Sequence, residues 1–358
     1  MARCKLLEEG FPQGSCTTYT SSGKGPACEI TLRFRDGIPE RLIVSAHLSR
    51  PEHYFSIYQS GCNLSCLKCH SWQFTQYADG RWLSPQQVVS LAAEYAEMVT
   101  VWEPRSRATS FHALDLCRGC GTCVQVTASS GFGSAIALRP TGRRSPLCPG
   151  KVSPEQILLS PQGLGPARNI IAFTGGDLMC QPDFYLRSTE GIKALGKGLW
   201  VLLETNGYGL TPRNLDLYRE AGVDAFWLDI KAYDPEVHKR LTGVENRWIL
   251  RLPEEIRARG FTLEVLTLYI PGWVEVDQIE RIARLLSAVD PSIPFTILAF
   301  FPQYKMRDVP PPSLDQMLSA YEAVRAVGLE AVRLGNPGVF LKGERDWEKL
   351  LSVAPEAI

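Results

Sequence analysis

Seven short apolar runs, "YFSIYQS", "NIIAFTG", "LWVLLET", "AFWLDIK", "TLEVLTLYIPG", "PFTILAFF" and "EAVRLG", recur between residues 54 and 335, with helix-like stretches between them. Each is nearly continuous in apolar residues, as suits parallel strands covered on both faces. Alternation of such strands with helices implies an α/β architecture, and six or seven units fit a partial (β/α)6-type barrel better than an eightfold one. An open doubly wound sheet is the alternative. Ser84-Pro85, Thr211-Pro212 and Asp234-Pro235 each read as a capping side chain followed by proline at the first helical position, and Ser84 with Gln87 completes a capping box.

In either architecture functional groups gather in the loops after the strands' C-terminal ends. Polar clusters do follow successive runs: "GCNLSC", "TGGD", "ETNG" and "DIK". Four strand ends are therefore expected to converge on one site. Ahead of the first run, "EITLRFRDGIPERLIVS" alternates around Asp36-Gly37, a hairpin signal. The expected division is an N-terminal accessory β region (1–52), the barrel (53–102 and 168–340), a cysteine-rich insert (103–167) and a C-terminal tail (341–358).

Lysine plus arginine balances aspartate plus glutamate at 38 each, so no net charge draws the chain to nucleic acid, which is not indicated as a partner. No stretch reaches membrane-span length, and "MARCKLLEEG" has no signal-peptide pattern; the expectation is a cytoplasmic protein without a membrane. There, eleven cysteines favour metal ligation over disulfides. Seven fall into two groups: Cys62, Cys66 and Cys69, then Cys117, Cys120, Cys123 and Cys148. Cys4, Cys16, Cys28 and Cys180 stand apart. Three cysteines in one loop suit structural zinc poorly, because it wants four ligands and His70 points away from Cys69. Three thiolates can hold three irons of a [4Fe–4S] cube and leave the fourth open. His238 reads as part of an ordinary surface helix.

The Cys-x3-Cys-x2-Cys spacing of Cys62, Cys66 and Cys69 resembles the hallmark of the radical S-adenosylmethionine (radical SAM) superfamily, and most of residues 54 to 340 resembles its pyruvate formate-lyase activating and AmmeMemoRadiSam-type enzymes. The resemblance implies that SAM chelates the open iron and is cleaved reductively to a 5′-deoxyadenosyl radical that abstracts hydrogen. "TGGD" is similar to the segment that holds the SAM amine, which assigns Gly175, Gly176 and Asp177. The later strand ends place Glu204, Thr205, Asn206, Asp229, Lys231 and Gly272 around the cofactor, with Lys231 on the SAM carboxylate and Glu204 and Asp229 on its ribose or a cation. Lys68 stands where the family has an aromatic ring, which directs adenine to a neighbour such as Trp72 or Tyr58.

Cys117, Cys120, Cys123 and Cys148-Pro149 resemble half of a bacterial ferredoxin motif; this implies a second [4Fe–4S] cluster that relays electrons or anchors substrate, with zinc as the competing ligand set. Cys180 is a candidate hydrogen-atom donor or metal ligand, against the plainer reading of a buried cysteine. The expected activity is that of a radical SAM oxidoreductase of anaerobic setting, activating-enzyme-like, served by a reductant such as ferredoxin or flavodoxin and acting on a protein glycyl or peptide substrate. Alternatives are radical modification of a small metabolite, cofactor or RNA, and, in another class, a two-cluster electron carrier or zinc-stabilised binding protein.

Overall fold

Every one of the seven apolar runs forms a strand in the computed structural model, which describes residues 4–121, 124–127, 137–140 and 147–358. They are β3 (Phe55–Gln59), β5 (Ile170–Gly175), β6 (Trp200–Thr205), β7 (Ala225–Asp229), β8 (Thr262–Tyr269), β9 (Phe295–Ala299) and β10 (Val332–Gly335). Their ladders are parallel throughout, in the order β10-β9-β8-β7-β6-β5-β3. The same sheet continues antiparallel through β2 (Ile38–Leu48) and β1 (Leu32–Arg35), while β4 (Arg81–Leu83) pairs with β2. Asp36 and Gly37, at the β1–β2 turn, both have positive φ (52° and 75°), the backbone that tight hairpins require. Among the described residues the ladder does not close on itself, so the curved sheet is a partial barrel.

Helices α1 (Pro85–Ala96), α2 (Asp183–Ala194), α3 (Pro212–Ala221), α4 (Pro235–Thr242), α5 (Leu252–Ala258), α6 (Val276–Val289), α7 (Leu314–Ala326) and α8 (Glu344–Val353) complete the layers. The Ser84 capping box forms, and Thr211 and Asp234 cap α3 and α4 as their side chains suggest. Between sheet and helices lies the main core, where Phe173, Leu203, Phe226, Val265 and Ile297 meet Ile192, Leu215, Ile282 and Met317. A second cluster on the other face of the sheet, Tyr54, Ala108, Ile170, Ala172, Leu202 and Ala225, plugs the interior beneath the strand ends. His238 departs from expectation: it is fully buried, and its Nδ1 lies 2.9 Å from the Val244 carbonyl.

Residues 103–116 of the insert run across this interior, held largely by arginines of the barrel. Fully buried Arg168 donates to the carbonyls of Thr109 (2.7 Å), Arg107 (2.6 Å) and Glu52 (3.2 Å). Arg333 donates to the Phe111 carbonyl and to Asp115, both at 2.5 Å. Further on, Arg50 donates to the carbonyls of Leu158, Gly165 and Pro166. A small apolar cluster of Leu116, Cys117, Val124 and Ile157 adds to the hold. Guanidinium groups suit this because one planar fork satisfies several carbonyls that would otherwise be buried unpaired. Arg168→Met should cost about 3 kcal/mol by denaturant unfolding, since it strands those carbonyls, and should open residues 103–116 to limited proteolysis while leaving α6 and α7 resistant.

Candidate active site

The loop after β3 is clamped between the ends of its neighbours. Asn63 N donates to the Asp177 carbonyl (2.8 Å) and Leu67 N to the Leu241 carbonyl (2.8 Å). A β-carbon on Gly176 would lie 2.1 Å from the Gly61 carbonyl oxygen, so only glycine lets the turn after β5 rest on the cysteine loop. Beside it Gly175 takes φ +84°.

Asp177 ties this corner together. It is buried, and its carboxylate accepts hydrogen bonds from Met179 N (2.9 Å), Thr205 Oγ1 (2.7 Å) and Asn206 N (2.9 Å). Oδ2 thus joins the turn after β5 to the end of β6, while Oδ1 braces the turn itself. Asn206 carries the connection to the cysteine loop, donating through Nδ2 to Asn63 Oδ1 (2.7 Å) with Cys62 Sγ at 3.7 Å.

Cys62, Cys66 and Cys69 line one cavity of about 780 Å³ together with Gly175, Asp177, Glu204, Thr205, Asn206, Asp229 and Lys231. Alternation along the strands explains which residues reach it, since one face carries Trp227, Asp229 and Lys231, then Glu264, Leu266 and Leu268. The same face is apolar lower down, where Ala172, Leu202 and Ala225 form the plug, and polar above, at Thr174, Glu204 and Trp227. Cavity and floor are two halves of one surface.

Several expected residues lie elsewhere. Gly272 sits in the turn between Ile270 and Val274, away from the cavity wall. Cys180 is buried and does not line the cavity. Tyr58 stacks on His47 and Trp72 on Tyr304, with ring centroids 5.1 Å apart in each pair, and neither lines the cavity. Phe301, Trp227, Phe111, Trp347 and His70 are the rings that do among the described residues. Lys68 lies 3.4 Å over the Phe301 ring and donates to Gln303 Oε1 (2.8 Å); burial lowers its pKa to about 8. From the insert, Cys120 lines the cavity beside Arg118 and Leu147. Cys117 is buried below, its carbonyl 2.7 Å from His53 Nε2, Cys148 is half-buried, and Cys123 falls outside the described residues.

Trp227, Glu264, Arg118 and Arg333 line the cavity without having been expected there. A glutamate inside the apolar run "TLEVLTLY" was the signal available, because a carboxyl at mid-strand has to face a polar interior or a partner.

Burial and then Asp177 and Cys66 push the Cys62 thiol far up; burial pushes Cys66 up to about 12, with nearby Lys231 opposing. Such thiols lose their protons when a metal replaces them. Burial alone would lower Lys231, yet Asp229 and Cys66 outweigh it and hold the ammonium charged, paired with Asp229 Oδ2. Asp229 Oδ1 and Trp227 Nε1 are buried without a hydrogen-bond partner, polar atoms on the cavity wall left for a ligand. Among the described residues no set of three or more His, Cys, Asp or Glu side chains is gathered as around a single metal ion. Three thiols spread along the wall of a cavity with orphaned polar atoms fit a cluster with its cofactor.

The family model of the radical SAM superfamily matches residues 118–286. That stretch, just under half of the chain, is similar to the radical SAM superfamily. The matched stretch covers the ends of β5 to β8 and starts after Cys69, so the fold, through the contacts of Gly61, Asn63 and Asp177, is what joins the three-cysteine loop to it. That family implies SAM and a [4Fe–4S] cluster. A relative from Methanocaldococcus jannaschii, provisionally named a glycyl-radical enzyme activating enzyme, is 32% identical over 157 residues, 42% of this chain. The chain spans 58% of that relative's length. Among solved structures, a domain of pyruvate-formate lyase-activating enzyme from Bacteroides vulgatus matches with TM-score 0.40 and 19% identity, covering 46% of this chain and 98% of that one. A structure of TYW1 with a lysine-pyruvate adduct matches with TM-score 0.42 and 14% identity, covering 77% and 74%. Among the described residues no helix is long and apolar enough to cross a membrane.

Glu204 accepts from Tyr54 Oη (2.8 Å) and from Thr174 Oγ1, and burial pushes it up to about 8 from the ordinary 4.5. The folded protein therefore keeps a proton that the unfolded chain has already lost, and stability falls as pH rises from about 4.5 to about 8, then levels. Glu204→Gln should flatten that decline, by an amount on the order of a few kcal/mol, in melting curves of the metal-free protein between pH 5 and 9.

Proposed function

We propose that the cavity holds a [4Fe–4S] cluster on Cys62, Cys66 and Cys69 with SAM beside it, and that the enzyme abstracts hydrogen from a peptide or protein glycyl substrate in the manner of activating enzymes. Held by Cys62, Cys66 and Cys69, with SAM at Lys231 and Asp229, such a cluster would supply one-electron reductive cleavage of SAM and, through it, hydrogen-atom abstraction from the substrate. The observation that carries the assignment is the meeting of three thiols, an ammonium–carboxylate pair and the Gly175 backbone in the lining of one cavity. The name of the archaeal relative supports the activating direction.

The chain's own groups have separable roles. Lys231, kept charged, neutralises the methionyl carboxylate, and Asp229 orients the ammonium while its free oxygen meets a hydroxyl. Gly175 lets the backbone approach the amine. Asp177 acts through other residues, since its bonds to Thr205 and Asn206 set the distance between the glycine turn and the cysteine loop. Glu204, protonated at neutral pH and held by Tyr54, presents neutral oxygens where a ribose would lie. In the insert, Cys117, Cys120, Cys123 and Cys148 hold a second cluster; Cys120 at the cavity wall favours substrate anchoring over a remote relay.

Anaerobically reconstituted protein should form 5′-deoxyadenosine from SAM under dithionite, and Cys66→Ala should abolish it. Lys231→Ala should keep its iron and raise KM for SAM by about tenfold or more, the loss of one charged contact. Absence of deoxyadenosine from fully iron-loaded protein overturns the assignment. Cys120→Ala should remove about four irons while leaving uncoupled cleavage, whereas release of zinc would assign the insert to that ion.

A further inference from the structure

Cys4, Cys16, Cys28 and Cys180 lie outside both the cavity and the insert, and they are far apart in the chain. The fold brings them together by three routes. A small hairpin, Thr18–Thr20 against Gly23–Gly25 with Thr18 opposite Gly25, turns the chain back so that Cys16 and Cys28 flank its open end. Cys4 precedes the short helix Lys5–Glu8, and Lys5 Nζ pairs with Asp183 Oδ2 at 2.6 Å, three residues beyond Cys180. Gly209 packs so tightly on Cys180 that a β-carbon there would lie 2.4 Å from the Cys180 nitrogen, and adjacent Tyr208 donates through its hydroxyl to the Pro12 carbonyl (3.1 Å).

The electrostatics agree with this placement. Burial, then Cys16 and Cys4, push Cys28 up to about 11, and burial, then Asp177, Cys28, Cys4 and Cys16, raise Cys180 well above the ordinary thiol value. Cys4 and Cys16 thus act on both Cys28 and Cys180, and Cys28 acts on Cys180. Four neighbouring thiols are matched to a thiophilic cation. The segment also gains from a fastener, because Leu6 and Ala27 are its only fully buried apolar side chains between residues 4 and 28, with Phe11 half-buried against Trp248.

We propose that Cys4, Cys16, Cys28 and Cys180 form a tetrathiolate metal centre, zinc ion or iron–sulfur cluster, that staples the N-terminal segment to the turn after β5. The thiols stand as a neighbourhood that the metal draws in, not as a closed ligand sphere. What the staple braces is visible between Cys4 and Cys28. Ser15 Oγ accepts from Ser65 N (2.8 Å), Ser65 Oγ donates to the Ser15 carbonyl (2.6 Å), and Gly14 lies against the Asn63 carbonyl, where a β-carbon would come within 2.3 Å. The N-terminal segment thus backs the loop of Cys62, Cys66 and Cys69 from behind, as a positioning element.

The test is metal analysis of the whole chain prepared anaerobically, wild type against Cys16→Ser/Cys28→Ser, each also in a Cys66→Ala background. The double variant should lack about one zinc, or about four irons with their sulfide, in both backgrounds. Zinc identifies the single ion, and iron the cluster. Unchanged metal in a folded double variant overturns the proposal. A double variant that fails to fold passes the decision to wild type, where thiol alkylation is mapped by mass spectrometry before and after chelation. Joint protection of the four cysteines, lost together when metal is removed, is the expected result. Free labelling of Cys4 and Cys16 in metal-loaded protein, or a Cys16–Cys28 disulfide in the unreduced map, overturns it. Neither readout depends on SAM cleavage.

Discussion

The carboxylate of Asp177 is the point on which the candidate site depends. Buried among donors from β5 and β6, it accepts from Met179, Thr205 and Asn206, and Asn206 continues the contact to Asn63 and Cys62. Burial pushes its pKa up, and the three donors work against that rise. A charge held in this way needs all its partners, so the glycine turn, the end of β6 and the cysteine loop are set as one unit. The shorter side chain of aspartate suits this inward role, because its oxygens stay close to the backbone amides they serve.

The strands could be read from their unbroken apolar runs because each is covered on its outer face by a helix and, over its lower half, by the interior plug. The polar strand ends were legible for the same reason, since where the plug stops the inward positions turn from Ala172 to Thr174 and from Leu202 to Glu204. What stayed hidden depends on which face a residue takes. Trp227 looks like core in "AFWLDIK", yet its register with Glu204 on one side and Glu264 on the other turns it into the cavity. Gly272 looked like another strand-end glycine, but its turn leads away. Tyr58 and Trp72 stand at the right distance in sequence and are taken up by His47 and Tyr304. Pairings between distant segments leave no trace in local spacing, and the same is true of the neighbours of Cys180.

Charge inside the cavity is arranged so that acids and bases have different fates. Lys231 is held charged by Asp229, whereas burial raises Glu204 to about 8 and Glu264 to about 7, so near neutrality Glu204 is largely a neutral hydrogen-bonding group and Glu264 stands between its two forms. Glu264 accepts from Phe111 N, and Arg333 reaches Phe111 and Asp115, so the wall opposite the thiols is built by strand and insert together. The insert is thereby fastened by backbone carbonyls, which any sequence supplies, more than by its own side chains.

That fastening has a consequence for how such enzymes diversify. Arg168 and Arg333 belong to the barrel and Arg50 to the N-terminal β region, and most of what they grip in residues 103–166 is main chain. Side chains on the facing surface, Arg118 and Leu147 among them, can therefore change without loosening the anchor. On the proposed reading, the part of the chain that would meet a substrate can drift under selection while the part that would hold the cofactor stays as it is, and a new specificity need not await a new fold.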